Sequence, residues 1–160
     1  MRLSKRGEYG LRAMIFLAIA SGSNAQPHVV QLKEISEREK IPGKFLEQIL
    51  LSLKNAGLVH SKMGNGGGYY LVKPPSEITL GQIFRMLDGP LAPVHCVSET
   101  AYEACGCPDE PTCGLRLVMG DVRNAITAIL DHTSLEDVTR RQDTVRVLLE
   151  AVQPDQNLTR

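Results

Sequence analysis

The chain has 160 residues and a formal net charge of zero, with 42% hydrophobic and 22% charged residues. That length holds one core plus an appendage, and no stretch reaches the eighteen or so apolar residues of a membrane span. Neutrality conceals two opposed halves: residues 1–73 carry eleven Lys/Arg against five Asp/Glu, a net +6, and residues 74–160 carry seven against thirteen, a net −6. A basic half suits a polyanion such as DNA, whose phosphates release counterions when neutralised, and the acidic half would be held off the same surface.

The segment Met1–Arg6 is basic and Ala13–Ala20 apolar, an order shared with secretion signals. Glu8 and Arg12 interrupt it, however, and Leu11, Met14, Ile15, Ala18 and Ile19 recur at helical spacing, as on one face of a helix built into a core. After the breaking tract Ser21–Pro27, residues 31–39 read as a short helix with Leu32 and Ile35 inward. A turn follows at Lys40-Ile41-Pro42-Gly43. The next helix places Phe45, Leu46, Ile49, Leu50 and Leu53 on one face, leaves Lys44, Glu47, Gln48 and Lys54 outside, and stops at Gly57. Two short helices around a tight turn suggest helix-turn-helix.

Leu58–Lys62, the glycine run Met63–Gly68 and Tyr69–Lys73 then read as a β-hairpin, and helix-turn-helix plus hairpin makes a winged helix. The glycine run is not a phosphate-binding loop, because no Gly-Lys-Ser/Thr follows and no helix begins there. Pro74-Pro75 marks a rigid joint, and Leu80, Ile83, Phe84 and Leu87 form the apolar face of another short helix. A longer helix from about Cys113 to Asp131 presents Leu115, Val118, Val122, Ile126 and Ile129, a stripe better buried against a second copy in a two-fold dimer suited to a palindromic operator. The fold expected is mostly α with a small β wing. A winged DNA-binding domain spans residues 1–75, the cysteine loop and dimerisation helix span 76–152, and a disordered tail covers 153–160.

All four cysteines, Cys96, Cys105, Cys107 and Cys113, lie in the loop before that long helix. Core cysteines scatter among apolar positions, whereas these sit among Gly, Pro and acidic residues that cannot pack as a core, so the thiols point to a metal or cluster site. Clustered thiols with metal-like use also fit a reducing cytoplasm better than a disulfide framework. No nucleophile–base pair, dinucleotide fingerprint or His-Glu-x-x-His motif is present, and an enzyme is not expected.

Taken in order, Met1–Ala13, Leu32–Ser36, Phe45–Ile49, Ala56–Val59, Gly64–Tyr69, Ile78–Gly81 and the cysteine loop resemble the IscR/NsrR type of winged-helix regulators, the Rrf-two family, over residues 1 to about 140. The resemblance implies a homodimeric regulator, a repressor, in which three loop cysteines ligate an iron–sulfur cluster, [2Fe–2S] or [4Fe–4S]. Cluster state, responding to redox, nitric oxide or cluster supply, then sets operator affinity. The family's Cys-x5-Cys pair before the long helix matches Cys107 and Cys113, with Cys96 upstream; Cys105 is the spare or a substitute for Cys107.

Where some relatives carry a ligating histidine, this chain has Arg116, which cannot ligate. Others use a carboxylate from the first helix, and Glu8 occupies that place, with His95 in reserve; otherwise Glu8 is an ion-pair partner of Arg12. DNA contact falls to Lys44, Glu47 and Gln48, glutamine reading adenine and glutamate accepting from cytosine. In the wing, Met63 stands where relatives carry a minor-groove arginine, with Lys62 and Gly64 beside it. Three alternatives remain: a structural zinc site using all four thiols, a cluster-free thiol switch, and, from another class, an iron–sulfur electron carrier. The last of these needs no basic winged helix.

Overall fold

The computed structural model describes residues 3–22 and 28–152, so the tail expected over 153–160 lies outside the described residues. Among the described residues, six α-helices and one antiparallel hairpin follow in the order α1 (Lys5–Ser21), α2 (Leu32–Glu39), α3 (Gly43–Asn55), β1 (Val59–Lys62), β2 (Gly68–Leu71), α4 (Leu80–Asp88), α5 (Gly114–Asp131) and α6 (Leu135–Val152). Short 3-10 turns lie at Pro75–Glu77 and His95–Val97.

Local chemistry sets most of these boundaries. Ser4 caps α1 by accepting from the Gly7 N–H (3.0 Å). Helix α2 ends as Lys40 turns into the left-handed region at φ 52°, Pro42 opens α3, and Gly57 leaves α3 at φ 72°. Thr79 and Gln82 form a reciprocal capping box on α4.

The core gathers Ala13, Met14 and Leu17 of α1, Ile35 of α2, Leu46, Ile49, Leu50 and Leu53 of α3, Val59, and Ile83 and Leu87 of α4. The expected helix-turn-helix and hairpin are thereby formed. The hairpin pairs Val59 with Leu71, His60 with Tyr70, Ser61 with Tyr69 and Lys62 with Gly68. Val30 adds a bridge to its outer edge, exchanging backbone hydrogen bonds with Tyr69 at 2.9 and 2.8 Å. Gly68 permits this approach, since a Cβ there would stand 2.2 Å from the Val30 carbonyl oxygen.

Two expectations change. Ile19, placed on the core face from its spacing, is 49% exposed, and the buried face of α1 instead runs through Gly7, Gly10, Ala13, Met14, Leu17 and Ala18. The cause is the close approach of α4: a Cβ at Gly10 would lie 2.1 Å from Leu87 Cδ1, and one at Gly7 would lie 2.5 Å from Asp88 Oδ2. The apolar residues of α1 alone do not reveal that contact, which turns the glycine face inward. The second change is α6, an additional eighteen-residue helix. Ser134 caps it, its hydroxyl accepting from the Asp137 N–H (3.1 Å) while the Asp137 carboxylate accepts from the Ser134 N–H (2.9 Å). Leu135 anchors its first turn in the core, and Val145, Leu148, Leu149 and Val152 are exposed.

Helix α5 buries none of its residues within the chain; Leu115, Val118, Val122 and Ile129 all face outward. It is tied to α4 by a two-pronged Arg85–Asp131 pair, with the guanidinium donating at 2.6 and 2.8 Å.

Candidate functional site

The cysteine loop is threaded across the N-terminal half of α5. Arg123 donates to the Val97 carbonyl at 2.8 Å and Arg116 to the Cys96 carbonyl at 3.3 Å, so two arginines of one helix hold the 3-10 turn that carries Cys96. Arg116 also pairs with Glu110 at 3.4 Å, and Glu110 accepts from the Tyr102 hydroxyl at 2.7 Å. The Glu110 carbonyl accepts from the Cys113 N–H at 3.3 Å, closing the turn that leads into the helix. Arg116, unable to ligate, is therefore a strut of the loop; sequence reasoning missed this use of it, and of Arg123 seven residues on along the same helix.

The sulfurs form a string. Cys113 is the N-cap residue of α5, and its Sγ lies 3.8 Å from that of Cys107. Cys105 neighbours both Cys107 and Cys96. Cys96 is buried (7% exposed) and the other three are half-buried. Electrostatics separates them. The backbone N–H of Arg116, followed by the Cys107 thiol and the Leu115 N–H, holds Cys113 below the ordinary thiol value. Cys105 and then Cys113 push Cys107 up to about 12, and burial followed by Cys105 and Glu110 pushes Cys96 up. Cys105, expected as a spare, sits inside the group. Among the described residues, no three His, Cys, Asp or Glu side chains converge on a point that a metal could occupy. The donor chemistry nevertheless fits a thiolate-held group: four thiols on one loop, one of them facing a helix N-terminus. The loop would have to close around its ligand.

Glu8, on α1, pairs with Lys5 at 2.8 Å and with Arg12 at 3.6 Å, the helix-surface arrangement weighed from its spacing. It also lines an open concavity of about 650 Å³ with Ser4, Phe84, Asp88, Pro90 and Ala92, where the chain leaves α4 for the cysteine loop. His95 is exposed at the start of the 3-10 turn beside Cys96.

On the basic half, Lys44, Glu47 and Gln48 stand exposed on the first turns of α3. Lys62 and Met63 are exposed at the wing tip, Met63 by 90%, and Gly64 turns the chain at φ 95°. The structure adds Arg6 to this face, donating to the Ser52 hydroxyl of α3 at 2.8 Å. It also adds Lys54, which reaches Ser61 of the wing at 2.7 Å. Basic residues on successive elements thus frame α3 and the hairpin, an arrangement suited to phosphates flanking a groove-inserted helix.

Comparison with known proteins agrees with this architecture. Residues 3–141 match the Rrf2 family, described as an iron-dependent transcriptional regulator. The CymR regulator of Bacillus subtilis is 36% identical over 143 residues, 89% of this chain and 93% of its own. Its solved structure, that of the global cysteine regulator of that organism, superposes with a TM-score of 0.72 over 88% of this chain and 98% of that one. IscR of Photorhabdus laumondii is 33% identical over 147 residues, 92% of this chain and 84% of its own. The solved structure of T. potens IscR, 29% identical, covers 97% of this chain and 93% of its own at a TM-score of 0.70. With a winged helix, a basic face and a match across most of its length, this chain belongs to the Rrf2 family of helix-turn-helix transcription regulators, which act by binding DNA.

Proposed function

We propose that the chain is a cytoplasmic, dimeric repressor whose affinity for a palindromic operator is set by an iron–sulfur cluster on the α4–α5 loop, responding to redox, nitric oxide or cluster supply. The observation that carries this reading is the position of the thiols, pinned by Arg116 and Arg123 to α5, the helix whose opposite end is bonded to α4 of the winged unit through Asp131. Cys96, Cys107 and Cys113 would hold the cluster, with Cys105 able to replace Cys107. Glu8 of the second copy supplies the oxygen ligand, and the concavity it lines leaves room for an approaching loop. When bound, the cluster supplies an exchangeable iron and a reducible centre.

The chain's own residues do the rest. Gln48 and Glu47 read base edges, Lys44, Arg6 and Lys62 meet phosphates, and the apolar stripe of α5 pairs two copies at a half-site spacing set by the operator. A ligand biases only conformations to which it binds differently, so loop closure changes DNA affinity to the extent that it shifts α5 against the winged unit.

The experiment is iron, acid-labile sulfide and zinc per chain after purification without oxygen, followed by operator titration of loaded and cluster-free protein at one salt concentration. Iron with matching sulfide and unequal affinities are expected. Stoichiometric zinc without sulfide would make the loop a structural staple, and equal affinities would end the switch.

A further inference from the structure

The sulfurs of Cys107 and Cys113 lie 3.8 Å apart in a turn that the surrounding residues hold closed. Glu110, between them in sequence, anchors that turn on its Cys113 side: its carbonyl accepts from the Cys113 N–H, and its carboxylate is held by Arg116 and Tyr102. Thr112 donates to Asp109 within the same turn. A disulfide needs the sulfurs at about 2 Å, which side-chain rotation supplies when the backbone already brings them together. Both are partly open to solvent, whereas Cys96 is buried.

We propose that Cys107 and Cys113 are a modification site, forming an intrachain disulfide when the cluster-free loop meets a peroxide. The Cys113 sulfur, on the N-cap residue of α5, attacks one peroxide oxygen. The O–O bond breaks, the Cys113 sulfenic acid forms, and the departing hydroxide takes a proton to leave as water. The Cys107 sulfur then attacks the Cys113 sulfur; the S–S bond forms, the S–O bond breaks, and the hydroxyl leaves as a second water with the Cys107 proton. Two thiols are oxidised by two electrons and one peroxide is reduced. The consequence for regulation rests on the cluster reading above: a disulfide withdraws two of the proposed ligands, so oxidised chain refuses a cluster until a reductant reopens the bond.

The test uses the full chain, purified without oxygen, stripped of metal, fully reduced and given one equivalent of hydrogen peroxide. Free thiols should fall from four to two per chain and the mass by two hydrogens. Cleavage after Glu103 and before Asp109 under non-reducing conditions should leave the piece carrying Cys105 and Cys107 joined to the piece carrying Cys113. The link should persist in Cys105→Ser, which assigns it to Cys107, and vanish in Cys113→Ser. Four thiols retained, a Cys96–Cys105 link or a bond between chains would overturn the proposal. If the disulfide forms but reduced protein never takes up iron and sulfide, the cluster reading fails and the thiol pair stands. If iron and sulfide load but peroxide leaves Cys107 and Cys113 unlinked, the thiol pair fails alone.

Discussion

Cys107 neighbours the other thiols on two sides, Cys105 and Cys113, so Cys107→Ala should reduce iron and sulfide per chain to background while leaving the far-ultraviolet circular dichroism of the winged helix intact. Retention of full iron would move the ligand role to Cys105. The stretch from Cys96 to Cys113 was legible as a candidate site from residue type alone, because Gly106, Pro108 and Pro111 deny the segment a packed core. Cys105 was legible only as a spare or a substitute for Cys107; the struts that hold the loop were not legible, since Arg116 and Arg123 reach back to carbonyls twenty and twenty-six residues away. Gly10 illustrates the same limit. Its missing side chain makes room for Leu87 across the core, and Gly10→Val is expected to destabilise the fold by about 2 kcal/mol or more in urea unfolding, as overpacked cores do. A neutral result would mean that Leu87 has space to withdraw.

Among elements, α3 and the wing are expected to make separable contributions to DNA binding. Gln48→Ala is expected to cost about 1–3 kcal/mol on the preferred operator and to relax the base preference at one position. Lys62→Ala should weaken all sequences alike and lower the salt slope by about one. Titrations on matched and scrambled duplexes at several salt concentrations separate the two. The α4–α5 joint is testable by pH. Hydrogen bonding from Arg85, then its charge, holds Asp131 below its ordinary value of 3.8. A depressed carboxylate stabilises the fold fully above that value and loses its contribution as pH falls through the folded one. The stability gap between wild type and Asp131→Asn should therefore be present at neutral pH and shrink in acid, measured by urea midpoints. A gap that grows in acid would contradict the pairing. Helices α1 to α4 and the hairpin were readable because apolar periodicity coincided with caps and turn residues. Helix α6 was overlooked although Ser134-Leu-Glu-Asp137 carries a capping signature, because most of its apolar residues face away from the core and leave no strong inward stripe.

At the scale of the molecule, the exposed apolar faces on α5 and α6 are where the proposed dimer would close. Val122→Asp in the α5 stripe is expected to convert the proposed dimer to monomer in sedimentation and to reduce operator affinity at least about a hundredfold, since half of the proposed palindromic contact would be lost. An unchanged dimer would place the interface elsewhere. The charge division between halves assigns the proposed DNA face to the winged end, and the structure adds how firmly that end is assembled. Through the Val30–Tyr69 bridge the wing is stitched to the residues that lead directly into α2, and the shared core joins α2 to α3, so α3 and the wing form a single reading head in the proposed complex with DNA. In the proposed switch, a signal from the loop would then reach DNA as a change in the distance and rotation between two heads. One base pair more or fewer between half-sites rotates them by roughly 35°, so the two signalling states should rank operators of different spacer length in different orders. The regulator would then work as a calliper, choosing promoters by the gap between half-sites as well as by the letters within them.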